Sequence, residues 1–550
     1  MSIIHNLSAG IELNLEQQKF VSLVAQGKSC CLVGAAGTGK TTAVKEAITQ
    51  LLSTNTIPTI QVPTGNPNNP KLLQGLAGIV GCAFTRKAVA NLKANFPEEL
   101  HPHCLTIHAL LEFAPVPYTT IDEEGNLVST MRFEPQRNKS NPLPTELTTI
   151  IIEESSMVGT DLFQLLMDAI PPNHPIQLVF LGDINQLSPV FGDAILGYKL
   201  LELPSIVLTQ VYRQALESPI IRLAHRILSG KQILYPELST EEKDGGQWQV
   251  KDKLKILNWK PKTSEAQAEV TSLAYLKREY LAGNYDPFND MVICPFNKNF
   301  GTVSLSKGIA NFIDEKYSIH PTEIISGFLR NYFAIGDLVL YKNEEYIITR
   351  INKNTLYRGR ILPDTKHVLD RFGNRLGLRN SLDSTDRYDT SALPQTADEI
   401  IDSIVAQAED EVTDNASHVI YLTKPEAVEK YLAVGSELAS LKDSNLPDTI
   451  TIETRGQVNN LTLAYATTCH KAQGLESKNV YILLHKCHNV LINREWLYTA
   501  VTRAKETLTI LCERDTFIGG INTQQIKGTS LEEKAEYFKG KQLNKQSLKR

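Results

Sequence analysis

The chain has 550 residues, and at roughly 100–200 residues per domain this length predicts three or four domains with ample cores. Its 56 Lys and Arg against 61 Asp and Glu give a formal charge of −5, which excludes a chain that coats nucleic acid generally and leaves only a local binding groove. With 42% hydrophobic and 21% charged residues, the composition excludes the disordered and collagen-like classes.

Cysteine usage and hydropathy indicate the compartment. Eight cysteines without a C-x-x-C spacing predict reduced thiols, not a disulfide framework or a zinc site. No stretch approaches the roughly 18 apolar residues that span a bilayer, and residues 1–18 lack the pattern of an export signal. We therefore expect a cytoplasmic protein without membrane contact.

Apolar runs of strand length alternate with helix-period stretches from residue 20 to about residue 230. The runs are Ser29–Val33, Ile79–Phe84, Thr148–Ile152 and Gln177–Leu181. Continuous apolar strands separated by helices are typical of a parallel sheet that is covered on both faces. The sequence therefore predicts an α/β fold.

The first of these strands runs into a glycine-rich loop with the pattern G-x-x-x-x-G-K-[ST]. The loop reads GAAGTGKT, and a helical stretch begins at Thr42. Its backbone N–H groups can surround phosphates, while Lys40 reaches the β- and γ-phosphates and the Thr41 hydroxyl binds Mg²⁺. The pattern predicts an ATP site that includes Gly34, Gly37, Thr38, Gly39, Lys40, Thr41 and Thr42.

A different pattern interrupts the first sheet at Val116–Gln136. Alternating strands at Tyr118–Ile121 and Leu127–Phe133 flank the turn-rich segment Asp122–Asn126. This arrangement predicts a protruding β-hairpin.

Two carboxylates, Glu153 and Glu154, follow the strand Thr148–Ile152. ATP hydrolysis needs one carboxylate near Mg²⁺ and one that orients or deprotonates the attacking water. We assign these roles to Glu153 and Glu154 respectively, with Glu153 as the alternative base.

The next strand ends in the sequence LGDINQLSPV, whose polar side chains are Asp183, Asn185 and Gln186. The carboxyl ends of parallel strands share one edge, so these side chains are expected at the same site. We interpret Gln186 as a γ-phosphate sensor; the alternative is a structural loop held by Asx-type hydrogen bonds.

A second α/β pattern begins at Met291–Pro295 and returns at Tyr481–Leu484 and Leu508–Leu511. Between them, alternating residues at Leu338–Tyr341 and Glu345–Ile351 predict a small antiparallel barrel. The acidic segment Asp383–Asp414 predicts a mobile arm, and the lysine-rich Gln525–Arg550 predicts a solvated tail.

Taken in order, these segments resemble the superfamily 1 helicases, in the RecD-like branch that includes the Dda-like phage helicases. The resemblance covers most of the chain. Further segments that carry it are FTRKA at Phe84–Ala88, Thr106-Ile107-His108, LTQVYRQ at Leu208–Gln214, YATTCHKAQGLE at Tyr465–Glu476 and WLYTAVTRAK at Trp496–Lys505.

The resemblance implies further roles in the ATP site. Arg213 and Arg503 would place positive charge on the γ-phosphate, and Gln17, or its neighbour Gln18, would read adenine. ATP would then lie between two RecA-like lobes, so that hydrolysis could open and close the cleft.

The resemblance also implies a track for single-stranded DNA across both lobes. Hydroxyl, amide and amine groups would hold phosphates, and Phe296 would stack on a base. His108 and His470 have packing roles as their alternative. The candidate residues are Thr85, Lys87, Thr106, His108, Phe296, Asn297, Thr468 and His470.

The expected architecture is two RecA-like parallel-sheet lobes, the first with a β-hairpin insertion and the second with an SH3-like barrel and an extra arm. The boundaries are 1–110 and 137–212 for the first lobe, 111–136 for the hairpin, 213–330 and 454–525 for the second lobe, 331–453 for barrel and arm, and 526–550 for a basic tail.

Two features depart from the family pattern. Glu153 stands where the family has Asp, so its longer side chain must be accommodated at Mg²⁺, and the insertion Asn331–Glu453 is long enough for an arm beyond the barrel.

The resemblance implies a monomeric ATP-dependent helicase that moves 5′ to 3′ on single-stranded DNA and opens duplex junctions in replication, recombination or repair. Single-strand binding or replication proteins are candidate partners. One alternative is a superfamily 1 RNA helicase, because no segment of the sequence distinguishes DNA from RNA through a contact to the 2′-hydroxyl group. The other alternative is an ATP-gated single-strand binding module with little unwinding.

Overall fold

The structure, a computed structural model, describes residues 13–54, 59–62, 73–76, 78–121, 127–189, 193–210, 218–230, 239–244, 246–260, 263–327, 329–342, 344–355, 357, 415–433, 446–447, 449–528 and 531–548. Arg213, the predicted hairpin tip 122–126 and the acidic segment 383–414 lie outside these residues. The chain divides into one unit of Met1–Ala268, Val292–Pro295 and Thr468–Arg550, and a second of Glu269–Met291 and Phe296–Thr467.

The first unit contains a six-stranded sheet in which all neighbouring strands are parallel. This confirms the predicted α/β class, and the four apolar runs form four of its strands. The strand order is Ser205–Leu208, Cys30–Gly34, Gln177–Gly182, Thr149–Ile152, Ile79–Ala83 and Cys104–Thr106.

Helices cover both faces of this sheet, which is why its strands are apolar on both sides. Cys30 and Leu32 point to one core, while Cys31 and Val33 point to the other, as the two-residue period of a strand requires. The first core is closed by Leu15–Ala25, Lys40–Thr54 and Arg86–Lys93, and the second by Ile107–Leu110, Thr160–Ala169, Ile195–Glu202 and Leu531–Leu548.

A second six-stranded sheet in the same unit is mixed. The predicted runs around Tyr481 and Leu508 lie in two neighbouring parallel strands, and Leu254–Trp259 is parallel to the second of them. On its other side, Leu254–Trp259 is followed by two strands in antiparallel pairing, of which Ser239–Lys243 forms the edge of the sheet. The order is Ser239–Lys243, Gly246–Lys251, Leu254–Trp259, Ala504–Cys512, Ser477–Leu484 and Met291–Ile293. Helices near these strands in the chain are Pro219–Leu228, Glu265–Leu281, Cys469–Ala472, Arg494–Val501 and Arg514–Asn522.

The second unit contains a five-stranded antiparallel sheet around Val339, Ile348 and Ile420. Its strand order is Ile450–Thr454, Asn415–Thr423, Glu344–Lys353, Leu338–Tyr341 and Thr462–Leu463. The unit also contains the pair Thr322–Ser326 and Leu329–Phe333 and the helices Thr302–Tyr317, Pro425–Ala433 and Arg455–Asn459.

Two further pairs of antiparallel strands belong to the first unit. Ala114–Ile121 pairs with Leu127–Glu134, and Arg132 lies over the ring of Tyr118 at 3.9 Å from its centroid. The other pair, Thr59–Val62 with Leu73–Leu76, follows the helix Lys40–Thr54. Short 3₁₀ helices occur at Glu98–His103, Ser155–Met157 and Lys486–His488.

The prediction of a solvated tail at the carboxyl end is wrong. Leu531–Leu548 is a helix, and the Phe538 side chain is only 2% exposed in the core of the first unit. The ring occupies space that Gly197 leaves open, since a Cβ there would lie 2.3 Å from Phe538 Cζ. The lysine content suggested full solvation, but two of these lysines also contact the body of the unit.

Among the described residues, no helix has both the length and the apolar character needed to cross a membrane.

We expect Phe538→Ala to lower the free energy of unfolding by about 3–5 kcal/mol, because it removes a buried aromatic side chain. Lys539→Ala is the matched control, since this side chain is 57% exposed in its contact with Glu536. It should change the free energy by no more than about 0.5 kcal/mol. Equal denaturant midpoints for Phe538→Ala and the parent would contradict the docked helix.

Candidate active site

The glycine-rich loop adopts a conformation that its glycines permit. Gly37 and Gly39 have φ values of 80° and 81°, and a Cβ on Gly34 would lie 2.4 Å from Thr38 Oγ1. Thr38 Oγ1 donates to Ala35 O at 2.8 Å, which closes the loop. Lys40 then begins the helix, so its first turn presents free N–H groups toward the loop.

The Lys40 ammonium group is held above this loop. It donates to Gly34 O, and it lies 3.4 Å from Ala35 O. Its positive charge acts to lower the pKa of both Glu153 and Glu154. Thr41 and Thr42, in the first helical turn, are exposed and half-buried respectively. Lys40 and the two carboxylates therefore lie close enough beside the loop to interact electrostatically.

Glu153 and Glu154 differ in backbone conformation and in electrostatic surroundings. Glu153 N donates to Cys82 O at 2.8 Å and continues the strand, whereas Glu154 has left-handed φ and ψ of 49° and 43°. Burial, with a contribution from Glu154, raises the pKa of Glu153 to about 7. Burial also raises the pKa of Glu154, and Arg503 gives the largest opposing effect. Of the two carboxylates, Glu154 is therefore the one on which the Arg503 charge acts.

Asp183 is fully buried at the end of the next strand and is surrounded by donors. Asn185 donates to Asp183 Oδ1 from its backbone N and from Nδ2, each at 3.0 Å. Tyr498 Oη donates to Asp183 Oδ2 at 2.5 Å and accepts from Ala36 N at 2.8 Å. The phenol thus connects the strand end to the phosphate loop, and burial followed by the Asp183 charge raises its pKa well above the usual value.

Gln186 follows in this loop, and its backbone N donates to Asp183 O at 3.1 Å. Its side chain is 7% exposed, and within the described part of the chain its Oε1 is buried without a hydrogen-bond partner. A buried amide oxygen without a donor costs free energy unless another polar group compensates it.

Arg503 lies in the last motif, Trp496–Lys505, and its charge acts on Glu154. Its guanidinium group is 4% exposed and donates to Thr499 O at 2.9 Å and Leu475 O at 3.0 Å. Thr499 and Gln473, from the last two motifs, bind the segment 183–189, which we call the sensor loop. Leu187 N donates to Thr499 Oγ1, and Gln473 Nε2 donates to Leu187 O, each at 3.0 Å. The segments around both sheets of the first unit therefore meet at one place.

Gln17 is 1% exposed, and both ends of its carboxamide have protein partners. Oε1 accepts from Asn14 N at 3.0 Å, and Nε2 donates to Gly39 O at 3.1 Å. The Gln18 amide instead donates to Leu13 O at 2.7 Å. Gln17 thus joins the first helix to the phosphate loop, and its role in reading adenine stays a prediction.

Four predicted DNA contacts of the first unit lie near strand ends. The Thr85 and Thr106 hydroxyls accept from Ala88 N and Ala109 N and so cap their helices. The His108 ring lies between Phe84 and Phe113, with centroids 5.8 Å and 4.9 Å away. The Lys87 backbone belongs to the helix Arg86–Lys93.

Thr468 and His470 belong to the motif Tyr465–Glu476, which contacts the helix Arg86–Lys93. Thr468 is the N-cap residue of the helix Cys469–Ala472, and burial lowers the pKa of His470. The motif touches the helix Arg86–Lys93 because Asn91 Nδ2 donates to Gly474 O.

Phe296 and Asn297 belong to the second unit and lie in the loop before the helix Thr302–Tyr317. Asn297 is exposed and accepts from Thr302 Oγ1 at 3.1 Å, while Phe296 is half-buried and its carbonyl accepts from Thr302 N at 2.9 Å. These contacts fix the loop that presents both side chains.

Sequence reasoning missed two residues beside the phosphate loop. Tyr498 lies inside the quoted WLYTAVTRAK motif, and its position there was the available signal. His225 in the helix Pro219–Leu228 lies near Asp183 and the Ala36 backbone; burial lowers its pKa, while Asp183 and the Ala36 backbone oppose that effect. No pattern in the sequence indicates His225.

Two protein families match this chain. The family described as AAA domain matches residues 17–192, and the family described as UvrD-like helicase C-terminal domain matches residues 463–511. The two matches contain the phosphate loop and the last motifs respectively.

Relatives with similar sequences include a DNA helicase and a subunit of the RecBCD enzyme. The ATP-dependent RecD2 DNA helicase of Deinococcus radiodurans is 26% identical over 90% of this chain and 48% of its own length. The RecBCD enzyme subunit RecD of Buchnera aphidicola from Acyrthosiphon pisum is 22% identical over 93% of this chain and 75% of its own length. The chain thus spans about half the length of the RecD2 protein, and it spans 38% of another relative, the uncharacterized protein MJ1519 of Methanocaldococcus jannaschii.

Solved structures with similarity include Pif1 helicase from Candida albicans, at 14% identity and a TM-score of 0.39 over 96% of this chain and 99% of that one. Bacteroides Pif1 bound to single-stranded DNA has 14% identity and a TM-score of 0.36, over 91% and 92%. The family matches and the RecD2 relative confirm the resemblance to the RecD-like superfamily 1 helicases.

We expect Tyr498→Phe to lower the free energy of unfolding by about 1–3 kcal/mol, because Asp183 loses a donor and Ala36 N loses an acceptor in a buried place. Tyr198→Phe is the matched control: Tyr198 donates to Asp193, which keeps a second donor in Lys541. Its loss should stay under about 1 kcal/mol. Chemical denaturation measures both values, and equal losses would contradict the bridging role of Tyr498.

Proposed function

We propose that this RecD-like chain is an ATP-dependent DNA helicase that moves 5′ to 3′ along single-stranded DNA and unwinds duplex. The observation that carries the proposal is the convergence of Lys40, Glu154 and Arg503 at the phosphate loop. Lys40 and Arg503 come from distant parts of the sequence, and both charges act on the Glu154 carboxylate. Phosphoryl transfer requires positive charges placed in this way around the reacting groups.

The residues around the loop fit a nucleotide with its metal. The loop offers backbone N–H groups and Lys40 to phosphates, and the buried Gln186 Oε1 without a partner marks a place for a polar ligand. Among the described residues no group of three or more His, Cys, Asp or Glu side chains could hold a metal alone. We propose that Thr41 and Glu153 supply two ligands to Mg²⁺, which neutralises phosphate charge when bound.

Each residue then has a distinct task. Glu154 orients the attacking water and accepts its proton, since its pKa is raised by burial and it faces Arg503. Arg503, with Arg213 as its proposed counterpart, stabilises charge that develops in the transition state. Gln186 senses whether the γ-phosphate is present. The hydrogen bonds of Thr499 and Gln473 to Leu187 couple the position of this loop to the last two motifs.

The substrate is proposed to be single-stranded DNA, held without sequence preference. A chain with a formal charge of −5 must bind phosphates locally, and capped helix starts at Thr85 and Thr106 offer N–H groups near hydroxyls. DNA is preferred over RNA because the similar RecD2 protein is a DNA helicase. The monomeric state and the single-strand binding or replication partners belong to the same proposal.

The domain boundaries given above stay our proposal for the architecture. All strands of the first parallel sheet fall between Cys30 and Leu208, which supports a first RecA-like lobe. The five-stranded antiparallel sheet falls largely within 331–453, which supports an SH3-like barrel in the second lobe.

The strand pair Ala114–Ile121 and Leu127–Glu134 is proposed to be the pin that separates DNA strands. It follows Thr106 and His108 closely in the chain, and its Tyr118 and Phe133 side chains are 41% and 70% exposed. Exposed aromatic groups can stack on bases at a junction.

Two variants separate nucleotide binding from hydrolysis. Lys40→Ala should abolish ATP hydrolysis and weaken ATP binding by removing the phosphate-facing ammonium. Glu154→Gln should bind ATP normally but lose hydrolysis, because an amide cannot accept the proton. Lys19→Ala, an exposed lysine on the first helix, is the control.

The assay is ATP turnover with single-stranded DNA or RNA of matched sequence, together with equilibrium ATP binding. Stronger stimulation by DNA is expected. Turnover of Glu154→Gln near the parental rate would assign the base to another residue, with Glu153 first, and stronger stimulation by RNA would favour the RNA helicase.

Replacing Tyr118–Phe133 by a short Gly-Ser linker should preserve DNA-stimulated ATP hydrolysis and translocation on single strands, because the strand pair lies outside both six-stranded sheets. Unwinding of a duplex with a 5′ tail should be lost. Unimpaired unwinding by this variant would rule out the pin, and loss of ATP hydrolysis as well would indicate a packing role.

A further inference from the structure

Three side chains of the helix Leu531–Leu548 contact residues that follow the strand Gln177–Gly182 in the sequence. Lys534, Phe538 and Lys541 have the spacing i, i+4, i+7 and so share one face of the helix. Lys534 Nζ donates to Asn185 Oδ1, Lys541 Nζ donates to Asp193 Oδ1 at 2.6 Å, and the Phe538 ring lies against Gly197. The helix therefore contacts the sensor loop at Asn185 and the later part of the chain at Asp193 and Gly197.

Lys534 is unusual among these contacts because its side chain is buried, with 4% exposure. Removing an ammonium group from water is costly unless specific partners compensate. Burial lowers the Lys534 pKa, and Glu495 and Asp183 oppose that effect. A buried lysine next to the ATP site thus requires an explanation beyond helix docking, which Phe538 already provides.

The Lys534 contact determines how the Asn185 carboxamide is oriented. The amide presents an acceptor on one side and a donor on the other. Because Lys534 engages Oδ1, Nδ2 faces Asp183 Oδ1, at 3.0 Å. A flipped amide would instead place two oxygens against each other in a buried site.

From Asn185 the hydrogen bonds continue to the phosphate loop. Asp183 Oδ2 accepts from Tyr498 Oη at 2.5 Å, and Tyr498 Oη accepts from Ala36 N at 2.8 Å. Gln186 follows Asn185 directly, and its N donates to Asp183 O at 3.1 Å. The same carboxylate therefore orders the sensor loop and the phosphate loop.

We propose that Lys534 is a positioning residue for ATP hydrolysis, which acts through Asn185 and Asp183 to hold Gln186 and the phosphate loop in the reactive arrangement. The inference rests on the proposed ATPase function. It assigns to the carboxyl-terminal helix a part in the chemistry, beyond that of a packing element.

The test compares Lys534→Met with Lys541→Met, which removes the other lysine contact of the same helix face but leaves Asp183 untouched. Lys534→Met should lower kcat for ATP about tenfold with KM changed by less than about twofold, because Gln186 acts on the transition state. Lys541→Met should keep the parental kcat. Lys534→Arg should recover most of the activity, since a cavity of about 100 Å³ beside Asn185 and Lys534 can accept the larger group.

A second measurement is independent of turnover. In the protein without nucleotide, hydrogen exchange at the Ala36, Asn185 and Leu187 amides should be faster in Lys534→Met than in the parent, and unchanged in Lys541→Met. Parental exchange and kcat in Lys534→Met, or equal changes in both variants, would overturn the inference. A parent protein that does not hydrolyse ATP would refute the proposed function instead, and the exchange comparison would still decide the positioning role.

Discussion

The buried carboxylate of Asp183 is the constraint on which the active site depends. A carboxylate removed from water needs donors on its oxygens, since uncompensated burial costs several kcal/mol, in the range of about 3–5 when a partner is lost. Its donors are Asn185 and Tyr498, and Tyr498 in turn accepts from Ala36. One desolvated charge thereby ties together the phosphate loop, the sensor loop and the last motif, which are far apart in the chain.

Around this fixed carboxylate, the reactive groups are adjusted by burial and opposing charge. Burial raises the pKa of Glu153 and Glu154, and Lys40 opposes this effect for both. Arg503 acts on Glu154, so the two adjacent acids are not equivalent. This asymmetry supports separate roles for them, one at the metal and one at the water.

Local patterns predicted the sheet and the phosphate loop because their signals are local. Apolar runs such as Ile79–Phe84 became buried strands, and the glycine-rich motif lies between the expected strand and helix. The docking of Phe538 and the bridge from Tyr498 to Ala36 were not predicted, since they join residues hundreds of positions apart. The strands between 239 and 259 were missed because no motif marks them.

We propose that the protein is a motor that uses ATP to move 5′ to 3′ on DNA. Its most direct test is strand separation by the parent protein, with matched duplexes that carry either a 5′ or a 3′ single-stranded tail, under multiple-turnover conditions with ATP and Mg²⁺. The account predicts ATP-dependent unwinding of the 5′-tailed duplex only. Preference for the 3′ tail, or ATP hydrolysis without unwinding of either duplex, would contradict it.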